Sequence, residues 1–335
     1  MKISDIPPDC RAKLRTGVVI PAMPLALDEH RRLDVRHQRA LARYYLDAGA
    51  GGIAAGVHTT QFEIRSPQFN LLEPVLSLVS CEIDAFSRRT GRHAVKIAGA
   101  CGLTPQAVAE AELAGNLGFH AVLLSLAALP GASVPELVGH CRTVASIMPV
   151  FGFYLQPSVG GRELPYSFWR EFVEIENIAG IKIAPFNRYK TLDVVRALAD
   201  SGRQDEIPLY TGNDDNVVWD LLTEYLVPSR GRIVKVRIAG GLLGHWSVWT
   251  SRAVELLERI HLLLDSGEPI PGELLGLGQQ ITDANAAFFD AANNFRGCIA
   301  GIHQVLQGQG LLRGTWCLNP AETLSEGQLD EIARV

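Results

Sequence analysis

Eight short apolar, β-branched runs recur along this chain, each followed by a longer stretch of helical periodicity, and this alternation constrains the fold more than any other feature. The runs fall at 17–23, 52–57, 94–100, 121–126, 150–156, 179–184, 208–212 and within 234–243. Most are continuously apolar rather than alternating, the pattern of strands buried on both faces of a parallel sheet. Helical patterns over 34–48, 74–89, 104–117, 134–147, 167–175, 192–201, 216–226 and 247–264 follow them in turn. Each unit averages about 31 residues, enough for one strand, one helix and two short loops, and eight such units close a (β/α)8 barrel. An open doubly wound sheet usually stops at five or six strands and carries a glycine-rich turn after the first, where this chain has Ala22-Met23-Pro24-Leu25.

The expected organisation is an N-terminal segment (1–16), the barrel (17–264) and a C-terminal helical extension (265–335). The last begins where Gly267, Pro269, Pro271 and Gly272 interrupt the βα pattern, with helical patterns over 274–292 and 296–307 beyond it. With 335 residues, 47% of them hydrophobic, the chain has ample material for a large core. A net charge of −5 without any basic run excludes nucleic acid as an expected partner. The longest apolar stretch, 121–133, is shorter than the ~20 residues of a bilayer span and contains Pro130. The N-terminus lacks the apolar core of a signal peptide, so a cytoplasmic protein without a membrane partner is expected. Six scattered cysteines read as reduced, mostly buried small hydrophobes. Nine dispersed histidines without HxH or HExxH spacing predict no metal site.

In a barrel the chemistry lies where strands end at the C-terminal face. Tyr154 closes one apolar run, and Lys182 interrupts Ile178-Ala-Gly-Ile-Lys-Ile-Ala. A lysine between Ile181 and Ile183 in a strand walled by helices is expected to point into the barrel. Burial favours the free amine, which attacks a carbonyl to form a Schiff base; the alternative is a lysine paired with an acid in the core. Lys96, early in its strand, and Lys235, beside Arg232 and Arg237, are weaker candidates. Strand two ends in His58-Thr59-Thr60-Gln61-Phe62, where two hydroxyls and consecutive N–H groups make either a neutral cradle for a carboxylate or a helix-capping pair.

Ile181-Lys182, Tyr154-Leu155-Gln156-Pro157, Thr59-Thr60 and the turn Gly212-Asn213-Asp214-Asp215 together resemble the dihydrodipicolinate synthase / N-acetylneuraminate lyase family. The resemblance implies a (β/α)8 barrel with C-terminal helices, a homo-oligomer (dimer or tetramer), and a lyase that acts on pyruvate or another 2-oxo acid. It implies no cofactor beyond the covalent imine. Lys182 would be the Schiff-base lysine and Tyr154 the phenol shuttling protons beside it. Thr59 and Thr60 would hold the 2-oxo carboxylate, with Asp214 also binding substrate; His58 and Gln61, which replace the loop's glycines, are expected to read a polyol at the substrate's distal end, or Phe62 to pack on an aromatic one. The departures are equally informative. The family's Gly-Thr-Thr-Gly-Glu loop has lost both glycines and the glutamate here. Its relay tyrosine falls at Leu129, and its arginine for a second carboxylate falls at Val159. An aldolase or dehydratase acting on a 4-hydroxy-2-oxo acid with a neutral distal end is therefore expected, rather than dihydrodipicolinate synthesis itself. The alternative is a non-catalytic 2-oxo-acid binding protein on the same barrel.

Overall fold

The computed structural model describes residues 1–335. Its strands are β1 (Val19–Pro21), β2 (Gly52–Ala55), β3 (Val95–Ala100), β4 (Ala121–Leu124), β5 (Val150–Leu155), β6 (Ile178–Ala184), β7 (Leu209–Thr211), β8 (Glu224–Ser229) and β9 (Arg232–Leu243). The helices are α1 (Pro8–Thr16), α2 (Val35–Asp47), α3 (Leu72–Thr90), α4 (Thr104–Asn116), α5 (Val134–Ile147), α6 (Tyr166–Phe172), α7 (Arg188–Ser201), α8 (Val217–Leu222), α9 (Thr250–Ser266), α10 (Gly272–Phe288), α11 (Cys298–Gly308) and α12 (Gln328–Arg334). Eight of the strands, β1 to β7 and β9, are parallel, and the fold class is a (β/α)8 barrel with C-terminal helices. No helix is long and apolar enough to cross a membrane.

Contacts divide the chain into two compact units. The first holds Met1–Val18, Val95–Asn213 and Trp219–Leu242. Its strands β3 to β6 are buried at every residue, as continuous apolar runs require. Register places Phe153 opposite Lys182 on β5 and β6, and Lys182 opposite Tyr210 on β6 and β7. Segment 1–16 is itself helical: Pro8 starts α1, where a missing N–H costs nothing, and Cys10 and Leu14 are buried. The Tyr210 hydroxyl donates to the Leu14 carbonyl at 3.1 Å.

The expected helix over 216–226 is only half realised. α8 stops at Leu222, and the chain continues as β8, antiparallel to β9 from Glu224 opposite Arg237 to Ser229 opposite Arg232. Pro228 cannot continue a helix, and Arg230 and Gly231 both take positive φ (49° and 77°), the two-residue turn that joins twisted hairpin strands. Lys235 is solvated on this hairpin and paired with Glu224 at 3.1 Å.

The second unit holds Val19–Ala94, Asp214–Val218 and Leu243–Val335. In it Ala22 bridges Ala54 in parallel, and Met23 N–H donates to the Ala54 carbonyl at 2.8 Å. Beyond α11 the C-terminal segment runs back toward the loop that follows β2. Arg31 Nε donates to the Cys317 carbonyl at 2.9 Å, and Ser325 Oγ donates to Asp290 Oδ2 at 2.5 Å.

Candidate active site

Alternation along β6 puts Ile178, Gly180, Lys182 and Ala184 on one face. That face carries the aromatic residues Phe151 and Phe153 of β5. A methyl at 180 would lie 2.6 Å from Phe151 Cε2, so glycine there makes room for the ring. Lys182 is 7% exposed, and its Nζ sits 4.5 Å from the centroid of the Phe153 ring, within range of a cation–π contact. On another side lies Gly212. A methyl at that position would meet Lys182 Cε at 2.5 Å and Ala184 Cβ at 2.8 Å. The lysine stem therefore occupies a slot between a phenyl face and bare backbone.

A buried polar network fixes that backbone. Asp220, wholly buried, accepts from Thr211 Oγ1 at 2.7 Å and from Asn213 Nδ2 at 2.8 Å. Asn213 Oδ1 in turn accepts from Phe186 N–H at 3.0 Å, which ties the turn after β7 to the loop after β6. The sequence offered no signal for Asp220, because its partners meet it only in the folded chain.

Tyr154 is not beside Lys182. Being one residue beyond Phe153, it faces the opposite side of β5, toward α6, where its ring lies 5.5 Å from Trp169. Gly152 confirms that parity, since a methyl there would strike Phe172 of α6 at 2.8 Å. The Tyr154 hydroxyl accepts from Leu164 N–H at 3.2 Å, and burial pushes the phenol's pKa up. Strand parity thus presents Phe153, which has no hydroxyl, to Lys182, and a proton-shuttle role for Tyr154 rests on the resemblance alone. Tyr154→Phe is expected to leave chemistry at Lys182 within about twofold. It should cost about 1–3 kcal/mol of stability, because the buried Leu164 N–H loses its acceptor. Equilibrium denaturation and initial rates on the same preparation check both parts.

In the second unit, the loop after β2 is a turn of 3₁₀ helix over His58–Thr60. Thr59 Oγ1 donates to the Ala22 carbonyl and Thr60 Oγ1 to the Met23 carbonyl, both at 2.7 Å. Thr60 Oγ1 also accepts from Val57 N–H at 3.3 Å. A hydroxyl has one proton to donate, so neither threonine can offer it to a carboxylate in this arrangement. In this arrangement the two hydroxyls pin the loop to the end of β1, and a hold on the substrate rests on the resemblance. Gln61 is buried as well and serves the fold, its Oε1 accepting from Leu318 N–H at 2.6 Å. His58 is half-buried, with its ring 6.0 Å from Phe62. Asp214 Oδ1 accepts from His245 N–H at 2.8 Å. Burial pushes the His245 imidazole down to about 4, so it is neutral near pH 7, and Asn285 Nδ2 lies 3.3 Å from its Nδ1. Trp246, next to His245 in the chain, is buried.

Val159 and Leu129 stand where the resemblance expects an arginine and a tyrosine. Arg162, a few residues beyond Val159, does not replace the missing cation. Its guanidinium donates to the backbone carbonyls of Leu129 and Ala132 and so joins two loops. No group of three or more His, Cys, Asp or Glu is arranged to hold a metal ion.

A parallel βα barrel with a buried strand lysine defines a class of lysine-centred barrel proteins, and comparison with known proteins narrows it. The family model described as the dihydrodipicolinate synthetase family matches residues 15–223. The chain belongs to that family, whose enzymes are lyases that work through a covalent imine on a lysine and use no other cofactor. It is 28% identical over 250 residues to the 4-hydroxy-tetrahydrodipicolinate synthase of Desulforudis audaxviator (strain MP104C), covering 73% of this chain and 79% of that protein. Among solved structures it resembles YagE, a prophage protein from E. coli K12 in complex with pyruvate, with a TM-score of 0.73, 17% identity and coverage of 95% and 96% of the two chains. It also resembles CdNal from Clostridium difficile in complex with mannosamine, with a TM-score of 0.71, 14% identity and coverage of 95% and 97%.

Proposed function

We propose that this chain is an imine-forming lyase acting on a 2-oxo acid, with Lys182 as the nucleophile. The observation that carries the reading is the lysine itself: a buried amine on an interior strand face, held between Phe153 and Gly212. Its neutral form adds through the Nζ lone pair to the C2 carbonyl carbon. Overall, ammonium plus ketone gives the cationic imine plus water, so charge and protons balance. The imine then accepts electrons from a breaking C3–C4 bond, or acidifies C3 so that a C4 hydroxyl leaves. By family resemblance the 2-oxo carboxylate is assigned to the loop at Thr59 and Thr60. Given the committed hydroxyls, and with the Thr60 and Gln61 N–H groups donating to the Val57 and His58 carbonyls, the Thr59 N–H is the loop donor this reading uses. Asp214 is assigned to the substrate on the same resemblance and His58 to its distal end, and the active form is taken to be a homo-oligomer in the cytoplasm.

The distal end of the substrate is proposed to be neutral. A second carboxylate near Val159 would be desolvated without a compensating cation, and the Arg162 guanidinium is already engaged with Leu129 and Ala132. Condensation of pyruvate with a panel of aldehydes tests this. Neutral sugar-derived or aromatic aldehydes should be the best acceptors; aspartate semialdehyde at the head of the ranking would contradict it. One observation favours a second reading, a 2-oxo-acid binding protein that forms the imine without turnover: β5 presents a phenyl, not a phenol, to Lys182. Imine formation with no product from any acceptor would select that reading.

A further inference from the structure

Gln61 has a backbone conformation of φ 68°, ψ 121°. This lies outside the left-handed pocket occupied by other positive-φ residues here, such as Trp249 (49°, 40°) and Asp290 (60°, 43°). A residue with a Cβ stays in such a region only when its surroundings hold it there. The side chain shows what does so. It is 1% exposed, and its Oε1 accepts from Leu318 N–H at 2.6 Å in the C-terminal segment. That acceptor fixes the orientation of the amide and leaves the buried Nε2 without a partner. Leu318 is buried in its turn, and the adjacent Cys317 carbonyl is held by Arg31 Nε. On the other side of Gln61, Thr59 and Thr60 are tied to the end of β1. The loop is thus clamped from both sides, by β1 through the threonines and by the C-terminal segment through one strained glutamine.

We propose that Gln61 is a positioning residue that latches the C-terminal segment to the Thr59–Thr60 loop and thereby sets the protein's affinity for the 2-oxo acid. The affinity part rests on the reading that this loop takes the carboxylate. The latch itself rests only on the strained backbone and the Leu318 bond.

Two variants separate the latch from the fold. Gln61→Met keeps the volume and the strain but removes the acceptor. Gln61→Gly removes the acceptor and relieves the strain, so it is the variant that retains a stable fold. In both, hydrogen–deuterium exchange of the amides in 57–65 should speed up about five- to tenfold relative to the native protein, the effect of one lost buried hydrogen bond, while amides of β5 are unaffected. The pyruvate concentration giving half-maximal borohydride-dependent labelling of Lys182 should rise by a similar factor. The labelling rate at saturating pyruvate should stay within about twofold, a split that general destabilisation does not produce. Unchanged exchange in 57–65 overturns the latch. Faster exchange with an unchanged half-saturation, or a lost maximal rate, overturns its role in binding. A native protein that pyruvate does not label overturns the imine reading and, with it, the affinity role, leaving the latch to be judged by exchange alone.

Discussion

Replacing Lys182 by methionine is expected to abolish borohydride-dependent labelling by pyruvate and to lower turnover by about 10⁴–10⁶-fold, the order of loss when a covalent nucleophile is removed. The fold should survive. Lys182 is 7% exposed, so methionine replaces a desolvated amine with an unbranched apolar chain of similar length. A variant that keeps measurable imine chemistry would move the nucleophile elsewhere; Lys96, also buried but at the start of β3, would then be the first residue to examine.

Gly212→Ala is expected to have the next largest effect, although the residue carries no functional group. The added methyl would lie 2.5 Å from Lys182 Cε and 3.0 Å from its Cγ, and backbone at 212 cannot retreat while Asp220 and Asn213 anchor the turn. The lysine must therefore leave its slot. Overpacking of this kind costs about 1–3 kcal/mol, and a displacement near 1 Å costs on the order of 10²-fold in rate. Comparing Gly212→Ala with Gly202→Ala serves as the check. Gly202 has open space around its Cα and only its positive φ to lose, so it should reduce stability without touching imine formation.

The barrel was legible because burial writes itself into the strands: runs such as 94–100 and 179–184 are apolar but for one lysine each and lie almost wholly within β3 and β6. Lys182 was legible as a charge late in such a run, where Lys96 stands early in its own. What the sequence left open was parity. Tyr154 and Phe153 are adjacent, and which of them meets Lys182 depends on the register between β5 and β6, including the irregularity between Val150 and Phe151. A single residue of slip exchanges the two faces, and one strand's sequence does not encode its neighbour's register. The threonine loop hid its partners differently. Thr59 and Thr60 carry hydroxyls suited to a carboxylate, but the Ala22 and Met23 carbonyls that take their protons come from another strand and leave no local trace. Asp220 and Leu318 were invisible for that reason too. The hairpin at β8 and β9 had a signal, Pro228 followed by Arg230-Gly231, that the apolar periodicity of 216–226 masked.

The central claim is that Lys182 forms an imine with a 2-oxo acid. The most direct measurement is peptide mass spectrometry of the native protein after incubation with pyruvate and sodium borohydride. The account predicts one reduced pyruvyl adduct per chain, located on Lys182, requiring both reagents and lost in Lys182→Met. An unmodified Lys182 peptide, or an adduct confined to another lysine, under conditions that label a known imine-forming aldolase, would contradict it.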